Sequence, residues 1–294
     1  MHLEQRDPAF STVVNRGATV TQVATGFGFT EGPVWDAQQR RLIFSDMKHD
    51  HMRCWSERGG IETFRRPCNK ANGNTFDRQG RLVSCEHATS RVVRLESDGT
   101  LMVLATHYGK DELNSPNDVV VKSDGSVSFT DPTYGRTRED LGLLRDLHLK
   151  FRGVFRIAPD GAVQLLADDF EQPNGLCFSP DEQHLFVNDT ARRHIRVFDT
   201  GPDGALRNGR VWAETTGEAI GFPDGMKIDS AGNLYCTGPA GIHVFAPDAR
   251  CLGVILTPEK AANFAWGDDD LCTLFITAVT SLYKIRVEIP GRPV

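Results

Sequence analysis

The chain has 294 residues, 39% of them hydrophobic and 24% charged, which supplies a large core and excludes a disordered chain. Its net charge of −6, with no basic run, offers a phosphate backbone no electrostatic footprint, so nucleic acid is excluded as the expected ligand. No window approaches the roughly 18 apolar residues needed to span a bilayer, and no membrane partner is expected.

In chain order, the N-terminal MHLEQRDPAFSTVV lacks a basic segment followed by an apolar stretch, and a cytoplasmic protein is expected. Residues 19–27 are apolar and strand-like. They precede a pattern that occurs six times: a polar amide or acid, often followed by Gly, then an apolar strand, a turn and a second strand. The copies are EGPVWDAQQRRLIFSD from Glu31, NGNTFDRQGRLVSCEH from Asn72, NDVVVKSDGSVSFTD from Asn117, NGLCFSPDEQHLFVND from Asn174, DGMKIDSAGNLYCTG from Asp224 and NFAWGDDDLCTLFITA from Asn263. Turn signals such as DRQG, SDG and DSAG between runs of Val, Ile, Leu and Phe mark each copy as a β-hairpin. Further strands follow in RVVRLES, GVFRIAP, IRVFDT and IHVFAP.

A unit of about 40 to 45 residues with four short strands has the size of a propeller blade, and it cannot bury both faces until neighbours stack on it. The predicted fold is all-β: a six-bladed β-propeller of four-stranded antiparallel blades, one domain over residues 1–294. The strand at residues 19–27 is predicted to complete the last blade and protect the sheet edges. An insertion at residues 134–153, with Leu141, Leu144 and Leu147 at three-residue spacing, is predicted to form a short helix or packed loop on one face. The seven cysteines are scattered, never at close paired spacing, and read as reduced and mostly buried.

Because the polar residue opens the innermost strand of every copy, Glu31, Asn72, Asn117, Asn174, Asp224 and Asn263 form a ring at one end of the channel. This all-oxygen set suits one divalent cation; calcium is favoured, with zinc, manganese and magnesium as alternatives. Capping of turns is the simpler use for Asn and Asp, but six copies in register argue for a shared centre. The hairpin returns to the same end at Asp46, Glu86, Asp131 and Asp189, a second ring suited to orienting the first. Glu86, His87, Tyr134, Arg136 and His148 are candidates for the rim, with surface histidines as the plainer reading of His87 and His148.

TEGPVW at residues 30–35, SPNDVV at 115–120, FTDPTYG at 129–135, QPNGLCFSPD at 172–181 and FPDGMKID at 222–229 together resemble the gluconolactonase/SMP-30 (regucalcin) family. The likeness runs from about residue 26 to 285 in order and spacing. It implies a six-bladed propeller whose metal is held by Glu31, Asn174 and Asp224, with Asn117 approaching metal or substrate, and similar organophosphate-hydrolysing propellers use the same four positions. Animal members carry an arginine where this chain has Ser115, so their sugar contacts do not transfer wholesale.

The expected activity is metal-dependent opening of a sugar lactone such as glucono-1,5-lactone, with Asp224 as general base or nucleophile, Glu31 and Asn174 holding the ion, and Asn117 positioning substrate. Alternatives are organophosphate or ester hydrolysis at the same site, and a metal-stabilised binding propeller without chemistry. A small-molecule partner and a monomer or homodimer are expected.

Overall fold

Each repeated copy folds as the two innermost strands of one blade, because its turn residues reverse the chain and its alternating apolar residues face the neighbouring sheets. The computed structural model describes residues 2–292. It contains six antiparallel sheets arranged as blades around a channel, with innermost strands Thr30–Asp36, Ala71–Phe76, Val119–Val121, Pro173–Phe178, Met226–Ile228 and Ala261–Gly267.

The ring closes on sequence-distant pairing. Thr21–Thr25 is the outermost strand of blade 6, paired with Ser281–Arg286 in the register Thr21 to Lys284 and Thr25 to Ser281. Blade 6 then packs on blade 1, where Trp35 stacks on Phe275 at 5.6 Å. Burying such a large apolar side chain is worth about 1.5–3 kcal/mol. Blade 5 carries a strand the repeat does not announce: Leu3–Gln5 adds a fifth member beside Cys251–Leu256. The following short helix, Phe10–Val13, drops Phe10 and Val13 into the core of blades 5 and 6.

Five cysteines are buried and all seven are free thiols. Among the described residues no helix is long and apolar enough to cross a membrane.

The insertion leaves blade 3 after Val127–Asp131 and returns at Arg152–Ile157. One helical turn, Tyr134–Thr137, is followed by irregular chain. Its leucines do not share one face: Leu141 is buried, whereas Leu144 and Leu147 are exposed. Helical spacing loses its meaning once the helix stops at Thr137.

Candidate metal and substrate centre

The backbone itself aims the ring residues inward. In blades 1, 2, 4 and 6 the inner pairing slips by a bulge where the ring residue lies, between Glu31 and Val34, Ala71 and Asn74, Pro173 and Leu176, and Ala261 and Asn263. In blades 3 and 5 the inner strand starts only after Asn117 and Asp224. A bulge re-aims a side chain that regular pleating would bury between blades.

The glycine after a ring residue lets the next blade come close. A Cβ on Gly32 would sit 1.9 Å from the Asn72 carbonyl oxygen, and one on Gly175 would sit 2.2 Å from that of Asp224. Side chains from second strands hold the same carbonyls: Ser45 Oγ donates to Asn72 O at 2.9 Å, Thr130 Oγ1 to Asn174 O at 2.7 Å and Asn188 Nδ2 to Asp224 O at 2.7 Å.

The strand-end carboxylates act through the main chain. Asp46 accepts from Gly28 N at 2.9 Å, Asp131 from Asn114 N and Ser115 N at 2.8 and 2.7 Å, and Asp189 from Glu171 N and Gln172 N at 2.8 and 3.1 Å. Each therefore grips the two or three residues leading to Glu31, Asn117 or Asn174. Glu86 instead binds side chains, taking Asn69, Thr89 and Arg91.

Two carboxylates meet at the channel end. Glu31 is buried, with Oε2 accepting from Gly32 N at 2.9 Å and Asn263 Nδ2 at 3.3 Å. Burial, then the charge of Asp224, pushes the Glu31 carboxyl well above the ordinary range. Burial also raises Asp224, against the opposing pull of Lys260 and a hydrogen bond with Asn174. Asn174 Nδ2 donates to Thr190 Oγ1 at 3.0 Å, leaving its amide oxygen for another partner. The Asn117 side-chain amide, 4% exposed, makes no hydrogen bond among the described residues.

A third carboxylate escaped the sequence reading. Asp118 is 3% exposed, accepts from Val119 N at 3.0 Å with Oδ1, and leaves Oδ2 without a partner. Burial raises its carboxyl, while Lys227 of blade 5 pulls it down. The signal was present: Asp118 stands where copies 1, 2, 4 and 5 have glycine.

These residues fit a divalent cation. Two carboxylates about 4 Å apart repel by roughly 4 kcal/mol at an effective dielectric of about 20, a cost that protonation or a cation must relieve. Unengaged amide oxygens of Asn117 and Asn174 complete a hard oxygen set. Among the described residues no three His, Cys, Asp or Glu side chains gather as a metal cluster, and a centre built from two acids and two amides needs none.

The rim differs from expectation. Tyr134 lies beside Thr190 and near Asp224, and burial raises its hydroxyl pKa. His87 is fully buried, its Nε2 3.2 Å from Asn72 Nδ2 and its Nδ1 3.3 Å from Leu141 O, and burial holds its imidazole down at about 4. It props the ring at Asn72 beneath the insertion. Arg136 is 2% exposed and donates to Asn114 O, Leu113 O and Asp146 O at 2.7, 2.7 and 2.6 Å, with Glu112 as its ion-pair partner at 2.6 Å. Its guanidinium pins the insertion and offers nothing to a ligand, and Glu86, buried among Arg65 and Arg91, is equally committed. Their polarity suggested the mouth; the unmet carbonyls of a folded insertion claimed Arg136 instead. His148 is exposed.

Residues 29–280 match the family described as SMP-30/Gluconolactonase/LRE-like region. The chain belongs to that family. A gluconolactonase of Zymomonas mobilis is 32% identical over 308 aligned residues, covering 97% of this chain and 85% of the relative. A pentonolactonase of Haloferax volcanii is 24% identical, covering 94% and 97%. Among solved structures, a gluconolactonase from Xanthomonas campestris superposes with a TM-score of 0.91 at 35% identity, over 98% of this chain and 95% of that one.

Proposed function

We propose that this chain is a metal-dependent lactonase that opens a sugar lactone, glucono-1,5-lactone being the first candidate, with Glu31, Asn117, Asn174 and Asp224 holding one divalent ion, calcium for preference. One observation carries the reading: Glu31 and Asp224 are buried side by side at the channel end, with no cation among the described residues in ion-pair contact with either, and the unengaged amide of Asn117 belongs to the same ring. Relatives named gluconolactonase and pentonolactonase support the reaction class.

When bound, the ion would polarise an ester carbonyl and lower the pKa of water. Asp224 is the chain's base: burial raises its carboxyl towards the range where a carboxylate takes a proton effectively at neutral pH. It removes a proton from the attacking water; oxygen adds to the lactone carbonyl carbon, the ring C–O bond breaks, and the proton returns to the departing hydroxyl oxygen. Asn117 and the Tyr134 hydroxyl orient the sugar, and Lys260 favours the ionised state of Asp224. Direct attack by Asp224 is the competing route, and a single turnover in heavy-oxygen water would then put label on Asp224 at the following hydrolysis instead of directly in the acid.

The test is acid release from glucono-1,5-lactone, corrected for spontaneous opening, before and after chelation and with calcium, zinc, manganese or magnesium restored. The expected outcome is turnover that chelation abolishes and that falls about 10²- to 10⁴-fold in Asp224→Asn, the usual size of a general-base contribution. Turnover unaffected by chelation sinks the metal assignment, and no turnover of any lactone sinks the lactonase.

A further inference from the structure

The two carboxylate copies share a feature the amide copies lack: phenylalanine two positions before the acid, in Gly-Phe-Thr-Glu-Gly at residues 28–32 and Gly-Phe-Pro-Asp-Gly at residues 221–225. Blade 6 lies between those blades, and its Lys260, three residues before Asn263, stretches between the two rings. The ammonium is 5.7 Å from the centroid of Phe29 and 5.8 Å from that of Phe222. From the other side Arg193, in the loop after Asp189, rests its guanidinium 5.1 Å from the Phe222 ring.

Neither cation has a carboxylate partner in an ion pair among the described residues, although most arginines of the chain do. Of the neighbouring cations, Lys48 and Arg138 both engage Asp140, and Arg192 lies against Glu171 and Asp189. Lys260 is half-buried, and Phe222 is 36% exposed. What sets these two cations apart is that both lie on one aromatic ring, two residues before the acid Asp224. Cation–π contacts fix them at low entropic cost while leaving their hydrogen-bond donors free.

Lys260 acts on Asp224 from a distance, and both it and Arg193 keep donors free over the Phe222 ring, where a group of negative charge would be met from two sides. We infer that Lys260, with Arg193, forms an anion subsite, and that the substrate is a lactone carrying a second anionic group, a phosphate or a carboxylate, away from its ester. This specificity rests on the lactonase reading; the subsite itself does not.

Calorimetry on the calcium-supplied full chain separates the two. Gluconate, 6-phosphogluconate and glucarate are titrated into wild type, Lys260→Met, Lys260→Arg and Arg193→Met. In parallel the ratio of kcat/KM for 6-phosphoglucono-1,5-lactone to that for glucono-1,5-lactone is measured. A binding preference of about tenfold or more for 6-phosphogluconate or glucarate over gluconate, the size of one charge-assisted hydrogen bond, is expected in wild type. The preference should collapse in Lys260→Met, shrink in Arg193→Met and survive in Lys260→Arg, and the arm that shows it identifies the anion. Equal binding of all three acids, or a preference that Lys260→Met and Arg193→Met both leave intact, overturns the subsite. Lactone turnover with a kinetic ratio near one removes the specificity and keeps the lactonase. Anion preference without any turnover keeps the subsite and removes the lactonase.

Discussion

Asp118 carries a buried negative charge against which the fold sets the Val119 N–H, the Asn263 side chain and the more distant Lys227. Removing the charge while keeping the shape should therefore act in two directions. Asp118→Asn is expected to weaken calcium binding by about tenfold, the usual effect of losing a group that supports metal ligands. It should also raise the stability of the metal-free protein, since an incompletely paired buried charge disappears. Calorimetry and a thermal melt with chelator read the two effects, and unchanged calcium affinity would show that Asp118 serves packing alone. His243 tests another buried ionisable group far along the chain. Burial holds its imidazole down at about 4, against an ordinary 6.5, with Nε2 3.0 Å from Pro239 O. Between those values the unfolded chain binds a proton that the folded one refuses, so this contribution is complete above about 6.5 and is lost as pH falls towards 4. Its limit is roughly 3 kcal/mol. His243→Gln should flatten the decline of the urea midpoint between pH 7 and 4.5, and a variant with the wild-type slope would refute the assignment.

The third blade shows how an element outside the repeat is held. Without Arg136 the carbonyls of Leu113 and Asp146 would lose their side-chain donor, and that of Asn114 would keep only the Ser90 hydroxyl. Arg136→Met should cost about 3 kcal/mol, as breaking a buried charged contact does. Amides of residues 134–148 should exchange faster than those of the blade strands, and exchange equal to wild type would place the support elsewhere. The insertion also marks how far sequence reading reached. Hairpins and the place of each polar residue at the start of a blade's innermost strand were legible because a period-2 pattern punctuated by turn residues repeats six times, so each copy corroborates the rest. Arg136 occurs once, in irregular chain, and a single arginine looks the same whether it meets a sugar or three carbonyls. Asp118 was hidden for a different reason: it is the deviation from the repeat, the one acid at the glycine position, and attention to what recurs passes over it. Leu3–Gln5 is too short and too polar to announce a strand, and it exists because Cys251–Leu256 offers it an edge.

Closure is a property no single blade possesses. Thr21–Thr25 comes from the start of the chain and supplies the fourth strand of blade 6, so the ring is fastened by pairing between residues about 260 apart. A propeller blade cut open at this point leaves Ser281–Arg286 as an unpaired edge and uncovers the cluster containing Phe27, Trp35, Leu42 and Phe275. The added strand on blade 5 is different in kind, because it widens a sheet that is complete without it. Two truncations separate these roles. Removing residues 1–6 should cost about 1–2 kcal/mol and lower the melting temperature by a few degrees while leaving one cooperative transition, as expected for a chain of this size. Removing residues 1–25 should abolish that single transition, giving aggregation or a broad melt, because every blade depends on its neighbours for burial and the last interface has lost its clasp. Supplying residues 7–25 as a separate peptide should restore part of the cooperativity if the clasp acts by pairing. Equal effects of the two truncations would mean that the ring is held shut by the blade 6 to blade 1 packing of Trp35 on Phe275, and that the strand merely covers an edge.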